Sequence, residues 1–298
     1  MTETGRQGNL SQNETMATSI GPPTDISRPF FAYGIFRPGQ LGFFQLKPHV
    51  KAITESAQIR GSLLLRDGLP IIDPNGQGVV KGALIQFGSV EDAEAAYQRI
   101  AALEPEKQYR WDEAVVDGVS TNVLFGRTPN RGSVLCEEQE WNGWNDPLFT
   151  AALDVVAETF ESQARFEWDL KPSFRLQMAY LLLWSAVERY VSLRYHFRDK
   201  VVAKVNQLAL EPSFALALKE LAIEPRKLYR ADDPSKSACV LDREDPEKSV
   251  GYYYQVRSNI THRGKGAWND HEIVLKSGTE LLAIFRCVLR AAQMDARV

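Results

Sequence analysis

Residues 174–197 read FRLQMAYLLLWSAVERYVSLRYHF, and this stretch decides the architecture of the C-terminal half. Apolar residues recur in it at spacings of three and four, so it predicts a long amphipathic helix. Pro172 and Ser173 stand where the start of that helix is expected. A second strongly amphipathic segment covers residues 272–292, and packing into a core accounts for its apolar content. The C-terminal half is therefore predicted to be a bundle of helices.

A short basic motif lies between these two segments, where residues 257–262 read RSNITH. Arg257 supplies a fixed positive charge, and His262 supplies a group that can titrate near neutral pH. Such a pair can cleave a phosphodiester without a metal, because the histidine moves a proton while the guanidinium holds the phosphate. An arginine and a histidine at this spacing also occur by chance, so a structural or surface role is the alternative.

The spacing of Arg257 and His262 sets a geometric condition on this chemistry. Each helical residue turns by about 100°, so side chains five residues apart point about 140° away from each other. One copy of the chain cannot easily aim both side chains at one phosphate, unless the helix begins or bulges within the motif. Two copies that face each other across a dimer could do so.

The sequence around this motif resembles the signature of the HEPN superfamily, small helical domains that include many RNA-cleaving toxins and defence nucleases. Arg257 and His262 match that signature, Asn259 and Gly264 fit it, and Ser258 stands where active members usually have Asn, Asp or His. The resemblance implies an endoribonuclease that needs neither metal nor cofactor and forms a homodimer through its helical domain. It also implies that Asn259 helps to bind the RNA.

Glu188 is an acidic residue within the apolar stripe of the first long helix, among Trp184, Val187 and Val191. A carboxylate in that position is either a solvated residue at the edge of the stripe or a partner for a buried arginine. The HEPN resemblance favours the second reading, and it implies that Glu188 orients Arg257.

The N-terminal half has a different character and begins with residues 29–39, PFFAYGIFRPG. Residues 30–33 predict a short strand, and Gly34 permits backbone conformations that are closed to other residues. Residues 38–39 then predict a turn. A strand that leads into a glycine turn leaves backbone N–H groups that can hold a carboxylate or a phosphate, although most such sequences merely turn the chain.

Strands and one helix follow in alternation. Residues 79–87 predict a strand, and residues 90–103 predict a helix with Ser89 as its N-cap. Glu104 closes that helix, and residues 109–116 predict the next strand.

This order of elements resembles the γ-glutamylcyclotransferase-like family over residues 29–131. Phe36 replaces the usual leucine of the family, and Ile35 stands where active members often have Ser or Thr. The resemblance implies a small mixed β-barrel with flanking helices and a single cavity. The positions that match the family pattern are Tyr33, Gly34, Arg37, Gly39, Pro70, Val80, Gly82, Leu103, Glu104, Tyr109 and Arg110.

In the reaction that this resemblance implies, the α-amine of a γ-glutamyl amide attacks the γ-carbonyl, which releases an amine and forms 5-oxoproline. Glu104 would take a proton from the attacking amine and return it to the leaving group, with Tyr109 in support. The alternatives are that Glu104 is a solvated residue at a helix end, or that the domain binds a ligand without cyclising it. The residues implied to bind the substrate are Tyr33, Gly34, Ile35, Phe36 and Arg37.

The composition of the chain limits the number of domains and the classes of protein that are possible. The chain of 298 residues, 44% of them apolar, is long enough for two domains of ordinary size. Three widely spaced cysteines predict free thiols in a reducing compartment, and we expect a cytoplasmic protein. The histidines show no metal-ligand spacing, so no metal and no cofactor are expected. No apolar run is long enough to span a membrane, and the N-terminus does not read as a signal peptide. The net charge of −3 does not indicate nucleic-acid binding by itself.

The sequence therefore predicts an α+β protein in four parts: a disordered tail over residues 1–28, the cyclotransferase-like barrel over 29–131, a linker over 132–147 and the HEPN-like helical bundle over 148–298. Three functions stay open. The first, ranked slightly ahead, is a dimeric ribonuclease whose N-terminal domain senses a ligand or regulates. The second is a cyclotransferase acting on a γ-glutamyl small molecule, with the helical domain as a dimerisation module. The third is a non-catalytic sensor.

Overall fold

The computed structural model describes residues 20–163, 170–195, 201–222, 224–231, 235–263 and 268–296. Over these residues the protein is a mixture of helices and β-sheets, as predicted. Strands dominate before residue 136 and helices after residue 150. The buried apolar residues form two clusters, one within the sheets and one within the helices.

The described strands of the N-terminal half form two sheets. The strands are β1 (Phe30–Ala32), β2 (Val50–Arg60), β3 (Ser62–Arg66), β4 (Leu69–Asp73), β5 (Val79–Phe87), β6 (Tyr109–Val116), β7 (Val119–Gly126) and β8 (Val134–Leu135). The larger sheet has the order β2-β5-β1-β7-β6, in which β1 pairs antiparallel with β5 and parallel with β7. The smaller sheet has the order β4-β3-β8.

The sheets of the described chain are open, so the prediction of a closed β-barrel is wrong. A barrel needs its two edge strands to pair, whereas β2 and β6 are the outer strands of the larger sheet. Gly61 separates β2 from β3 with a φ of 143°, and a Cβ at this position would lie 2.8 Å from the Asp73 carbonyl oxygen. The chain therefore bends at Gly61, and β3 joins a second sheet instead of extending the first.

The helix of the N-terminal half, α1 (Val90–Leu103), agrees with the predicted bounds. Ser89 caps it, because its hydroxyl accepts a hydrogen bond from the Asp92 N–H at 3.1 Å. The buried Tyr97 ring on α1 packs edge-on against Phe30 and Trp111 of the larger sheet. This packing holds α1 against the sheet, and Glu104 follows directly after the last residue of the helix.

The described helices of the C-terminal half surround one apolar core. They are α2 (Ala151–Ser162), α3 (Leu170–Tyr195), α4 (Val201–Ala209), α5 (Pro212–Leu221), α6 (Pro246–Arg263) and α7 (Trp268–Ala296). The predicted helices over residues 174–197 and 272–292 correspond to α3 and α7, which begin four residues earlier than predicted. Fully buried aromatic side chains fill the core, among them Trp184, Tyr180, Tyr190, Phe214 and Phe285.

A short hairpin precedes α6, formed by β9 (Arg226–Leu228) and β10 (Cys239–Leu241). Residues 232–234, between the two strands of the hairpin, lie outside the described residues. Arg226 anchors the hairpin to α7 through two contacts with the Glu280 carboxylate, one of them 2.8 Å long.

Two segments that were predicted to be a disordered tail and a linker pack on the N-terminal half where they are described. Residues 1–19 lie outside the described chain, but Gly21 accepts a hydrogen bond from the Trp111 indole at 2.8 Å. In residues 132–147, β8 pairs with β3, and the buried Trp141 indole donates to the Gly68 carbonyl at 2.9 Å.

The two halves meet along α3 and the segment that follows β1. Gln45 donates to the Arg194 carbonyl at 2.7 Å, and the Arg194 guanidinium lies over the Phe44 ring at 4.6 Å. The Gly39 N–H donates to the Ala296 carbonyl at 2.7 Å, so α7 also contacts the N-terminal half. No helix in the described chain is both long enough and apolar enough to cross a membrane.

Candidate functional site

A cavity of about 470 Å³ lies between the two halves of the protein. The turn after β1, β4, the end of α1 and β6 form its N-terminal walls, and α3 forms the wall opposite. Its lining includes Tyr33, Gly34, Ile35, Phe36, Pro70, Glu104, Gln108, Tyr109, Arg189 and Ser192. Most of the residues that sequence reasoning assigned to the cyclotransferase-like site are therefore brought together here.

Glu104 reaches this cavity because α1 ends one residue before it. Its backbone is already extended, with φ −90° and ψ 123°, while its N–H still donates to the Ile100 carbonyl at 3.2 Å. The residue is half-buried. A carboxylate at a half-buried wall of a cavity can exchange a proton with a bound ligand.

Two buried tyrosines flank this carboxylate. Burial raises the pKa of Tyr33 and of Tyr109 well above the ordinary value, and the nearby Glu104 charge raises both further. The Tyr33 hydroxyl donates to the Leu124 carbonyl at 2.6 Å, and the Tyr109 hydroxyl donates to the Pro70 carbonyl at 2.9 Å. Both tyrosines are therefore neutral, and each commits its proton to a backbone carbonyl.

The turn after β1 is held by its own backbone. The Arg37 N–H donates to the Gly34 carbonyl at 3.0 Å, and the Gly42 N–H donates to the Ile35 carbonyl at 2.9 Å. Gly34 is needed for close approach, because a Cβ there would lie 2.9 Å from Pro70 Cγ. Within the described chain, no residue accepts a hydrogen bond from the backbone N–H of Gly34 or Ile35. These two donors can hold an anionic ligand.

Arg37 was predicted to bind the substrate, but it does not line the cavity. Its guanidinium contacts the Glu140 carboxylate at 2.7 Å, with 14% of the Arg37 side chain exposed. Phe36 is buried and Ile35 is partly buried, so two apolar side chains occupy this side of the cavity.

Sequence reasoning missed Arg189, which lines the cavity from α3. Its Nε lies 2.8 Å from Asp146 Oδ2, and the Asp146 side chain is 9% exposed. No motif marks Arg189 in the sequence, because its role depends on the packing of α3 against the N-terminal half. Ser192 lies three residues later on the same face of the helix and lines the same cavity.

The motif residues Arg257 and His262 both lie within α6, which is one helix from Pro246 to Arg263. The half-buried Arg257 guanidinium lies over the Tyr254 ring at 5.7 Å, while His262 is exposed. Because the helix neither begins nor bulges between them, the two side chains diverge by about 140° in one copy of the chain.

Helices α3 and α6 pack against each other. The Tyr180 hydroxyl on α3 donates to the Tyr253 carbonyl on α6 at 2.9 Å. Gln177, one turn before Tyr180, shares a small cavity with Ile260, which lies two turns after Tyr253. The Trp184 ring on α3 also packs edge-on against the Tyr254 ring on α6, with the ring centroids 5.7 Å apart.

The resemblance implied that Glu188 orients Arg257. Within the described chain, no ion pair or hydrogen bond joins these two side chains, and the Arg257 guanidinium instead lies over the Tyr254 ring.

Asn259 was predicted to bind RNA, and its amide is engaged by the protein itself. Its Oδ1 accepts hydrogen bonds from the Ala231 N–H at 2.9 Å and from Gln255 Nε2 at 2.8 Å. Its Nδ2 donates to the Tyr229 carbonyl at 2.8 Å. Asn259 thus ties α6 to the segment after β9. Gly264, which fitted the same signature, lies outside the described residues.

Among the described residues, no three His, Cys, Asp or Glu side chains are grouped in a way that could hold a metal ion. No protein-family model matches the sequence, and neither a curated protein nor a solved structure gives a significant match.

Proposed function

We propose that the cavity between the two halves binds a γ-glutamyl amide, and that Glu104 acts there as the acid and base of a cyclotransferase reaction. The observation that carries this proposal is the convergence of Glu104, the Gly34 turn and Tyr109 on one cavity of about 470 Å³. These residues lie up to 75 positions apart in the sequence, since the range runs from Gly34 to Tyr109. A volume of this size suits a small ligand.

Each part of the reaction has a group suited to it. The N–H donors of Gly34 and Ile35 hold the carboxylate next to the α-amine of the ligand. Glu104 takes a proton from that amine, whose nitrogen then attacks the γ-carbonyl carbon. A bond forms between these two atoms, and the bond from the same carbon to the amide nitrogen breaks. Glu104 returns that proton to the departing nitrogen, which also gains the second proton that the attacking nitrogen loses as the ring forms, so that 5-oxoproline and a protonated amine are the products.

Tyr109 supports the amine before the reaction. Its proton is committed to the Pro70 carbonyl, so its oxygen offers lone pairs and can accept a hydrogen bond from the ammonium group of the ligand. Because burial and the Glu104 charge both raise the pKa of Tyr109, this arrangement persists across the physiological pH range.

The test measures 5-oxoproline released from a panel of γ-glutamyl amides by the wild type and by Glu104→Gln. General acid and base catalysis contributes about 100-fold or more, so Glu104→Gln is expected to lose at least that factor in turnover. Glu106→Gln, at an exposed position two residues later, is the matched control and should keep the wild-type rate. Full activity in Glu104→Gln, or no product from any amide with the wild type, would contradict the proposal.

A second candidate function is metal-independent RNA cleavage in a homodimer. It is favoured by the accessibility of the α6 end, where His262 is exposed and Arg257 is only half-buried. Since one copy of α6 aims the two side chains apart, the site requires Arg257 from one copy and His262 from another.

RNA cleavage in EDTA tests this candidate with three proteins: the wild type, His262→Ala and Thr261→Ala. We expect cleavage by the wild type and by Thr261→Ala, which changes an exposed neighbour, and none by His262→Ala. All three should sediment as dimers. Cleavage that survives in His262→Ala, or that comes from a monomer, would remove this candidate.

A further inference from the structure

Arg189 is the cation that the helical half contributes to the cavity. It lies on α3, in the wall opposite Glu104 and the Gly34 turn, which belong to the N-terminal half. Its Nη2 is 3.7 Å from the position that a Cβ on Gly68 would occupy, so the guanidinium lies over the turn that leads into Leu69 and Pro70. Both of those residues also line the cavity.

Asp146 holds this guanidinium in one orientation. The Nε of Arg189 contacts Asp146 Oδ2 at 2.8 Å, and Asp146 Oδ1 accepts from the Leu148 N–H at 3.0 Å. With Nε used in this way, the two Nη groups carry the remaining N–H donors of a planar fork. The Arg189 side chain is 21% exposed, so its charge is screened less than that of an arginine in open solvent.

The cavity therefore has two walls of opposite character. The N-terminal wall offers the Glu104 carboxylate for an amine and the turn N–H groups for the carboxylate beside it. The helical wall offers a fixed guanidinium, which prefers a second carboxylate. A γ-glutamyl amino acid has these three groups, because its leaving part carries a carboxylate of its own.

We propose that Arg189 is a specificity-determining residue that binds the carboxylate on the leaving part of the ligand, so that the helical half selects γ-glutamyl amino acids over γ-glutamyl alkylamides. This inference rests on the proposed function of the same cavity. The alternative is that the Arg189–Asp146 pair has a purely structural role. In that case a change at Arg189 would affect folding but would not alter the preference between ligands.

Two probes separate these roles, γ-glutamyl-alanine and γ-glutamyl-ethylamide, which differ only by the carboxylate of the leaving part. Calorimetry would measure the Kd of each probe for the wild type, Arg189→Met, Arg189→Lys and the control Arg175→Met, each in a Glu104→Gln background so that the probes are bound without being converted. Arg175 lies on α3 as well, but it is exposed and does not line the cavity.

The wild type and Arg175→Met are expected to bind γ-glutamyl-alanine at least about tenfold more tightly than the ethylamide, since a charge-assisted bidentate contact is lost in the second probe. Arg189→Met should remove most of that preference while it leaves the Kd of the ethylamide within about threefold. Arg189→Lys keeps the charge without the fork and should retain part of the preference. Melting temperatures without ligand identify any variant that fails to fold, and Arg189→Lys then replaces Arg189→Met in the comparison.

Equal affinity of the wild type for both probes would overturn the role of Arg189, and so would an equal loss for both probes in Arg189→Met. Either result would leave the role of Glu104 intact, because binding of the glutamyl part would persist. Binding of neither probe to the wild type would instead overturn the proposed function, and the inference with it.

Discussion

The cavity that contains Glu104 and the end of α6 that carries Arg257 and His262 differ in whether the fold brings their candidate functional residues together. The cavity joins side chains from the turn after β1, the end of α1, β6 and α3, which are far apart in the chain. The α6 end has two residues only five positions apart, and the helix directs them to different sides. Closeness in sequence is therefore a poor guide to convergence, since helical geometry separates neighbours while tertiary packing unites distant residues.

A buried group of charged and polar side chains lies beside the cavity, at the end of α3. Arg194, which follows the cavity-lining Leu193, faces the buried Glu211 at the start of α5. Arg194 Nε lies 2.9 Å from Glu211 Oε1 without hydrogen-bond alignment, and the Tyr190 hydroxyl donates to the same oxygen at 2.7 Å. Tyr195 donates to it as well. Because Arg194 also stacks on Phe44, this group of charges joins the helical core to the N-terminal half.

Glu211→Gln should cause the largest loss of stability among changes outside the cavity. It removes the main counter-charge of a buried guanidinium, and the loss of one partner from a buried ion pair costs about 3–5 kcal/mol. Urea titration would measure the free energy of unfolding. Since α3 carries both Arg194 and Arg189, binding of γ-glutamyl-alanine should weaken too.

The matched control for this prediction is Asp154→Asn, which removes the partner of Arg286 at 3.1 Å on the surface of the same bundle. Asp154 is 72% exposed, and exposed pairs contribute about 1 kcal/mol or less. Equal destabilisation by the two variants would show that the Arg194 cluster does not support the cavity in the way that its burial indicates.

Much of the local structure could be predicted from the sequence, because it depends on neighbours in the chain. The cap at Ser89 and the bounds of α1 are correct, since a hydroxyl before an amphipathic run satisfies the first helical N–H groups. The strand over residues 79–87 has the predicted bounds as well. Periodicity also identified α3 and α7, although it placed their starts too late.

What could not be predicted depends on contacts between distant segments. Whether β2 and β6 pair is decided by the bend at Gly61 and by the second sheet, and neither leaves a local pattern. Arg189 enters the cavity because α3 packs across the N-terminal half, and its sequence neighbours mark only an amphipathic helix. Tyr33, Glu104 and Tyr109, which the γ-glutamylcyclotransferase resemblance assigned to one site, line the same cavity.

The smallest expected effect concerns Asn259 and distinguishes a structural role for this residue from a role in RNA binding. Asn259→Ala removes one donor and one acceptor that tie α6 to Tyr229 and Ala231, and it should cost about 1–3 kcal/mol of unfolding free energy. Hydrogen exchange should rise at the Ala231 amide and across β9, whereas Ser258→Ala, one residue earlier, should leave exchange unchanged. A fall in RNA binding with no change in stability or exchange would instead return Asn259 to the ligand-binding role that the HEPN resemblance implied. The engaged amide favours the first outcome, because a side chain already bonded at both of its polar atoms must break those bonds before it can bind a ligand.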